Sequence, residues 1–560
     1  MLSQNGSTLE IRLSARPGTS IGVHFEVELG AAVGYWHPTA GAERTLVPDW
    51  AGRTTTSLVR SAPIGVLHDA MGRTMFGWAA DRPVDELQIQ FGVSEERKTF
   101  ALDLAGHLRE DRIGPVVRLM TGRGDLALAV GELAGWMSDR IPEPPLTVAA
   151  LGMRPVYSSW YTFTQEINAE LMESEAELAI GLGCGMVFLD DGWQEFAHGR
   201  GYQGLGDWRP DQVKFPDLAA HVGRLHDRGA GVALWVAPLL LGRQSAAHAD
   251  LEEYAQHWSP ELNCRVLDPR YRQVREHLAD TCLRLVTDYG VDALKIDFLD
   301  TAMRYQGTES RGDIADIGIA MAELLSLLRR RLASAGHQQV LFEFRQPYVN
   351  PAIARYGQIL RAGDCPADAV LNRQRTVDCR LLATGQVVHS DPLMWGPTGG
   401  AAAVAQQLYS AMFSVPQISM RLAELSSEEV ETLAGLLAFW QDHSEVLLTG
   451  RLRVSGSEAS YPLVAAVRED LGQAVIVAYA PQVIDLDSVG AAQVTLVNAT
   501  ATPALVIRTA RPITSAVLHN ARGRSMGPGE SLPSGLHEIP VQPWGGVSLG
   551  LTTTPPGVTT

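Results

Sequence analysis

Lys295 and Asp297 sit two apart in the run Asp292-Ala-Leu-Lys-Ile-Asp-Phe-Leu-Asp300, which follows Asp288-Tyr-Gly290. The apolar residues Val291, Ala293, Leu294, Ile296, Phe298 and Leu299 make this a buried strand after a helix stop. A period of two puts the ammonium and the carboxylate on one face of it. Two ionisable groups there cost several kcal/mol unless they are paired or used in chemistry. A structural ion pair at a strand end is the alternative. Only three of the 46 basic residues are lysines (Lys98, Lys214 and Lys295), so each marks a place where a planar guanidinium fork does not replace a point donor.

Further polar groups fall at the ends of other apolar runs. They are Trp160, then Asp190-Asp191-Gly192-Trp193, Trp235, Glu343 and Arg345, Arg361 and Asp364, and finally His389 and Asp391. Carboxylates and a lysine can hold vicinal hydroxyls, and an indole face packs on the apolar face of a pyranose. Two carboxylates flanking a glycosidic carbon perform acid and nucleophile work. The pattern therefore points to sugar chemistry. Each tryptophan also has a plain core reading, and His389 with Asp391 reads equally as a pocket wall or a hydrogen-bonded pair. Lys214 and Trp208 read equally as a loop over the site or as packing. Asp292 and Asp300 read as solvated ends. His198 and His226 lack metal-ligand spacing.

These groups need a scaffold that gathers strand ends. Residues 148–445 alternate strand and helix, with strands expected near Val156–Tyr161, Met186–Asp190, Val232–Ala237, Ala293–Phe298, Val340–Arg345, Ile359–Ala362, Val387–Ser390 and Val415–Ser419. Amphipathic helices are expected over Glu166–Ile180, Tyr271–Tyr289 and Ile317–Ala335. Eight β/α units suggest a TIM barrel with its chemistry at the C-terminal strand ends. A doubly wound sheet is disfavoured because Gly181-Leu-Gly-Cys-Gly185 precedes a strand instead of following one.

The flanks read as β structure. Residues 1–147 carry period-two runs such as Ile21-Gly-Val-His-Phe-Glu-Val-Glu-Leu29, and Ile141-Pro-Glu-Pro-Pro-Leu146 reads as a linker. Residues 446–560 return to strands, as in Gln473-Ala-Val-Ile-Val-Ala-Tyr479, and Thr552–Thr560 is expected to fray. The fold class is α/β: a barrel between two β-sandwich domains.

A net charge of −17 argues against nucleic-acid and anionic-membrane partners. Five cysteines without a C-x-x-C spacing suggest neither a disulfide framework nor a zinc site. No signal peptide or membrane span is evident, and a cytoplasmic protein is expected.

The ordered segments Ser158-Ser-Trp-Tyr161, Phe188-Leu-Asp-Asp-Gly-Trp193, Gly206-Asp-Trp-Arg-Pro-Asp-Gln-Val-Lys-Phe-Pro216, Gly231-Val-Ala-Leu-Trp-Val-Ala-Pro238, Val266-Leu-Asp-Pro269 and Leu294-Lys-Ile-Asp297 together resemble one family. It is the clan D α-galactosidases, glycoside hydrolase family 36, melibiase-like enzymes. The resemblance implies a retaining exo-α-glycosidase with Asp297 as nucleophile, and with Lys295, Asp190 and Asp191 on sugar hydroxyls. Asp364, in Arg361-Ala-Gly-Asp-Cys-Pro-Ala-Asp368, stands where the family carries its acid/base. Trp160, Trp193, Trp235, Glu343, Arg345 and Arg361 complete the expected substrate-binding set. The substrate implied is an oligosaccharide or other glycoside, with no cofactor.

Two departures accompany the match. Glu343-Phe-Arg-Gln-Pro-Tyr348 replaces the family's Cys-Ser-Gly-Gly-Gly run, which helps read the 2-position of the sugar. The N-terminal domain is also shorter than is usual, which leaves homo-oligomerisation open. Alternatives on the same barrel are a transglycosylase, an α-N-acetylgalactosaminidase, or a non-catalytic sugar-binding relative.

Overall fold

The computed structural model describes residues 2–5, 7–14, 20–39, 41, 44–107, 114–122 and 124–552. Residues 553–560, most of the segment expected to fray, lie outside the described residues.

A parallel sheet occupies the middle of the chain. Its strands are β1 (Val156–Ser158), β2 (Met186–Leu189), β3 (Gly231–Val236), β4 (Ala293–Ile296), β5 (Leu341–Arg345), β6 (Ile359–Arg361), β7 (Val387–His389) and β8 (Gln417–Ile418). Each pairs in parallel with the next from β1 to β7, and β8 pairs with β1. Closure between β7 and β8 runs through the His389↔Val415 bridge, where Val415 N donates to Val388 O and Ser390 N to Val415 O. The eight strands thus form a (β/α)8 barrel. Their residues are buried almost throughout, which explains why they read as continuous apolar runs.

The expected helices form as Ala169–Gly181, Arg272–Tyr289 and Ile317–Ser334. Asn168 and Asp316 cap the first and third by accepting from Leu171 N and Ile319 N. Gly290, in the left-handed conformation, ends the second just before β4.

Largely antiparallel sheets flank the barrel, the two on the C-terminal side each including one parallel pair. On the N-terminal side, one sheet holds Ala32–Trp36, Ile64–Asp69, Thr74–Ala80 and Val116–Thr121 among its strands. A second holds Ser20–Glu28, Gly52–Thr56, Leu87–Ser94 and Thr99–His107. On the C-terminal side a seven-stranded sheet faces a three-stranded one. One helix in the N-terminal part, Leu126–Ser138, departs from the all-β expectation. Its sequence is apolar on nearly every face, so it carries no amphipathic signature. It is buried between the N-terminal sheet and the barrel, packing on Ile64–Asp69 and Thr74–Ala80 on one side and on Pro351–Arg355 and Ala369–Leu382 on the other.

The N-terminal part also touches the rim of the barrel. Asn350, in the loop after β5, donates to Ser61 O at 2.9 Å and to Pro83 O at 2.6 Å, and Ser61 N donates to Pro347 O at 2.7 Å. The loop that continues from Arg345 is therefore held from outside the barrel.

Candidate active site

Strand register builds the site in two layers. Trp235, Lys295 and Glu343 are Cα partners across β3, β4 and β5. Arg345, Arg361 and His389 are partners across β5, β6 and β7. Side chains of parallel strands at matching register point into the same barrel layer, so charged groups far apart in sequence meet at its C-terminal end.

Asp297 follows β4 directly. Its Oδ2 accepts from the Trp235 indole at 3.0 Å, and its Oδ1 accepts from Phe298 N at 2.7 Å and from the Arg345 guanidinium. Phe298 holds φ at 56°, a left-handed conformation that an aromatic residue adopts only under constraint. That turn brings the backbone amide onto the carboxylate. Burial pushes the Asp297 carboxyl up, but Arg345, Lys295 and Arg361 outweigh it and hold the group well below the usual carboxylate range.

Lys295 does not pair with Asp297, its neighbour two residues on. Its Nζ donates to Asp190 Oδ2 at 2.5 Å, and both side chains are buried. Asp190 in turn accepts from Asp191 N through Oδ1 at 2.9 Å. The adjacent Asp191 accepts from the Gln165 and Gln194 side-chain amides at 2.8 and 2.6 Å. Burial raises its carboxyl to about 7 against those hydrogen bonds, helped by the charge of Asp190. Two consecutive aspartates therefore differ in partner: one meets an ammonium, the other two neutral amides.

Arg361 ties the opposite side together. It is fully buried and donates through Nη1 to Asp391 and through Nη2 to Asp364 Oδ1 at 2.9 Å. Its Nε stands 3.6 Å from Glu343 Oε1, and both of those atoms lack a hydrogen-bond partner. Asp391 is completely enclosed and also accepts from the Tyr161 hydroxyl and from Cys365 N, each at 2.7 Å. Its carboxyl is raised to about 6, by burial first and by the charge of Asp364, against the pull of Arg361. Glu343 lies as deep, accepting from Gln417 Nε2 at 2.7 Å and lying 3.0 Å from His389 Nδ1.

Asp364 is different, with its side chain 56% exposed. Burial and the charge of Asp297 push its carboxyl up. Arg361, Arg345 and Lys295 pull it down, and the net is below the ordinary value. The structure thus brings Asp297 and Asp364 into one electrostatic cluster, with Asp364 facing outward.

Among the tryptophans, Trp193 is fully enclosed and donates to Trp235 O at 3.0 Å. Trp235 is buried beneath Tyr202, whose ring stacks on it at 6.2 Å. Trp235 thus holds the Asp297 carboxylate directly, whereas Trp193 is bonded only to the Trp235 carbonyl and presents no open face to a sugar. Trp160 is half-buried, with the Arg200 guanidinium 5.7 Å from its ring centre. Lys214 donates to the carbonyls of Gln165, Gly192 and Ala197 at 2.7, 3.2 and 2.6 Å, so it stitches the loops after β1 and β2 together. His389 and Asp391 do not pair with each other: one serves Glu343 and the other serves Arg361.

Sequence reasoning missed Tyr202, Gln165 and Tyr161. The Tyr202 ring stacks on Trp235 and meets Phe298 edge-on at 5.7 Å, and burial, then the field of Asp191, Asp297, Asp190 and Asp364, pushes its hydroxyl far up. A loop tyrosine carries no periodic signal. Tyr161 lies in the Ser158-Ser-Trp-Tyr161 segment, where its neighbour Trp160 carries the stronger sugar-binding signal. All five cysteines are buried free thiols. Among the described residues, no helix is long and apolar enough to cross a membrane.

Fold and site define a (β/α)8 barrel whose mouth is lined by interlocked carboxylates and cations. Residues 149–348 match the family model described as Melibiase. Alpha-galactosidase Mel36A of Lactobacillus acidophilus is 27% identical over 153 residues, covering 26% of this chain and 21% of that protein. Alpha-galactosidase 2 of Pediococcus pentosaceus is 32% identical over 149 residues, covering 25% of this chain and 20% of that protein. Probable alpha-galactosidase C of Aspergillus flavus is 23% identical over 350 residues, covering 58% of this chain and 45% of that protein. The matches span less than half the length of these curated relatives. The GH36 alpha-galactosidase AgaA from Geobacillus stearothermophilus shares the fold with a TM-score of 0.66 at 17% identity, over 98% of this chain and 80% of that one. Residues 149–348 are thus similar to the melibiase family, and the fold is that of a glycoside hydrolase family 36 alpha-galactosidase.

Proposed function

We propose that the chain is a retaining exo-acting α-glycosidase that releases terminal α-linked galactose. The observation that carries this reading is the pairing of unlike carboxyls. Asp297 is held ionised among three donors, and Asp364 stands exposed in the same charge cluster. The activities named for the relatives support the glycone. So do the complexes of AgaA variants with raffinose and stachyose, which make oligosaccharides the natural substrates to try.

In this scheme Oδ2 of Asp297 attacks the anomeric carbon as the bond to the leaving oxygen breaks, and Asp364 gives that oxygen a proton. In the free protein the balance on Asp364 favours the ionised form, so it takes up its proton as the bound glycone excludes water. Once Asp297 is esterified its negative charge is gone, and one of the influences holding the Asp364 proton goes with it. Asp364 is then suited to act as base on the incoming water. Water attacks the anomeric carbon, the ester bond breaks, and the carboxylate of Asp297 is regenerated. Lys295 and Asp190 offer a donor and an acceptor to sugar hydroxyls from the barrel floor.

A panel of nitrophenyl α- and β-glycosides tests the reading. Turnover confined to the α-galactoside, with the α-anomer of galactose appearing first by NMR, is the expected result. Preference for a β-glycoside, or first release of the β-anomer, contradicts it.

A further inference from the structure

The proposed nucleophile carries an arginine of its own. Arg345, at the end of β5, binds Asp297 Oδ1 through Nε, and its Nη1 donates to Gln346 O at 2.8 Å. The guanidinium carbon stands 5.2 Å from the centre of the Phe298 ring and 5.9 Å from that of Tyr348. The remaining nitrogen, Nη2, lies 3.6 Å from Asp300 Oδ1, a buried carboxylate oxygen without a hydrogen-bond partner. One guanidinium therefore has a bonded carboxylate on one side and an unsatisfied one within a short rotation on the other. Asp297 Oδ1 is saturated by Arg345 and Phe298 N, whereas Oδ2 has only the Trp235 indole. The arrangement leaves a lone pair of Oδ2 free.

We infer, resting on the glycosidase reading, that Arg345 is a positioning residue that clamps one oxygen of Asp297 and turns to Asp300 when Asp297 becomes esterified. In the first half-reaction an Oδ2 lone pair forms the bond to the anomeric carbon, and the bond to the leaving oxygen breaks. The carboxylate becomes a neutral ester, so Arg345 loses its bonded anion, and Asp300 Oδ1, already 3.6 Å from Nη2 but without a hydrogen bond, is the nearest replacement. In the second half-reaction water supplies the new oxygen, the ester bond to Oδ2 breaks, and its electron pair returns to Asp297. The return of Arg345 stabilises that departing carboxylate. The clamp makes Asp297 a less basic nucleophile and a better leaving group, which shifts effort from the second step to the first.

The charged and titratable groups around Asp297 are Lys295 and Asp300 on its own segment, Arg345 and Tyr348 from the β5 end, and Arg361 and Asp364 from the β6 end. Tyr202, in the loop after β2, lies in the field of Asp297 together with Asp190 and Asp191, and Arg60 acts on Asp300. Arg345 is the cation bonded to the carboxylate itself, so its removal raises the Asp297 carboxyl while the others stay in place.

The test is pre-steady-state and pH-dependent kinetics of the full chain on a dinitrophenyl α-galactoside, after thermal melts confirm folding. Arg345→Met is expected to move the acid limb of kcat/KM upward by about one pH unit or more. It should also produce a burst followed by turnover slowed about tenfold or more. Arg345→Lys, which keeps the charge, should restore most of the acid limb. Asp300→Asn should lower kcat with a burst while leaving kcat/KM within about twofold, because only the second step loses a partner. If Arg345→Met leaves the acid limb in place and gives no burst, or Asp300→Asn lowers kcat and kcat/KM equally, the inference is overturned. Should Arg345→Met not fold, the Asp300→Asn split decides alone. Loss of activity with azide rescue in Asp297→Ala, beside a silent Arg345→Met, overturns the clamp and spares the glycosidase reading. A parent that hydrolyses no α-galactoside overturns both.

Discussion

Lys295 reaches past Asp297, two residues along its own strand, to bond Asp190 at 2.5 Å across the barrel floor. The lysine comes from β4 and the aspartate from the end of β2, with β3 between them, so the pair spans three strands. Arg345 is left to serve Asp297. The two carboxylates central to the site are thus each matched to a different cation.

Removing one member of such a buried pair exposes the other as an uncompensated charge. Lys295→Ala is expected to lower unfolding stability by about 3–5 kcal/mol. The double change Lys295→Ala with Asp190→Asn should cost less, because no charge is stranded. Lys295→Arg keeps the charge but puts a wide planar fork where a compact donor fits. Urea melts and steady-state kinetics check both. A Lys295→Arg protein within about twofold of the parent in kcat/KM makes Lys295 a structural partner only.

Lys214 offers a cleaner structural test, since its ammonium meets three backbone carbonyls and no carboxylate. Lys214→Met should destabilise by on the order of 2–3 kcal/mol, because those carbonyls are left short of a charged donor. Lys214→Arg should not restore the loss, as a planar fork cannot match three converging acceptors. Thermal melts that barely move would remove Lys214 from the framework that orders the loops after β1 and β2.

Asp191 makes stability depend on pH. Its carboxyl is raised by burial from an ordinary 3.8 to about 7 in the folded chain. Between those values the folded state holds a proton that the unfolded chain releases, so this contribution to stability is complete below about 4. It is then lost as pH rises towards 7. Asp191→Asn should remove that slope. It should also lower stability, since Asn replaces one of the two oxygens that accept from Gln165 and Gln194 by an NH2 that faces a donor. Urea unfolding at several pH values reads both effects. An unchanged slope in the variant would contradict the assignment.

Much of the architecture was readable in advance, and for a physical reason. Strands buried on both faces are short continuous apolar runs, and the intervening helices are amphipathic, so β1–β8 and the helices Arg272–Tyr289 and Ile317–Ser334 stood out. The helix Leu126–Ser138 did not, because burial on most of its surface erased the polar face that would have marked it. Within the site, Lys295, Asp190 and Arg361 are marked in the sequence because each interrupts or ends an apolar run. Which cation meets which carboxylate was not readable, since that depends on register and strand order. The contributions of Tyr202 and Gln165 come from loops, where no periodicity exists to interpret. The burial of Trp193 was hidden too, because a strand-end tryptophan has one sequence signature whether its ring faces the cavity or the core.

Asp364, exposed and ion-paired to Arg361, should matter in proportion to the leaving group's need for a proton. Asp364→Ala is expected to slow an oligosaccharide by about 10²–10⁴-fold. Glycosyl transfer from a dinitrophenyl galactoside should change little, with a burst followed by slow turnover. Azide should relieve the second step and give a glycosyl azide of retained configuration. Equal slowing of both substrates, without a burst or an azide effect, would move the acid/base role to another carboxyl such as Glu343 or Asp368.

The central claim is that Asp297 forms the bond to the sugar, and the product of Asp297→Ala in azide tests it most directly. The variant should fold, lose activity by on the order of 10³-fold or more, and convert an activated α-galactoside to the β-galactosyl azide, as azide occupies the place of the missing carboxylate. A variant that keeps nearly full activity, or one that yields only the α-galactosyl azide, would contradict it.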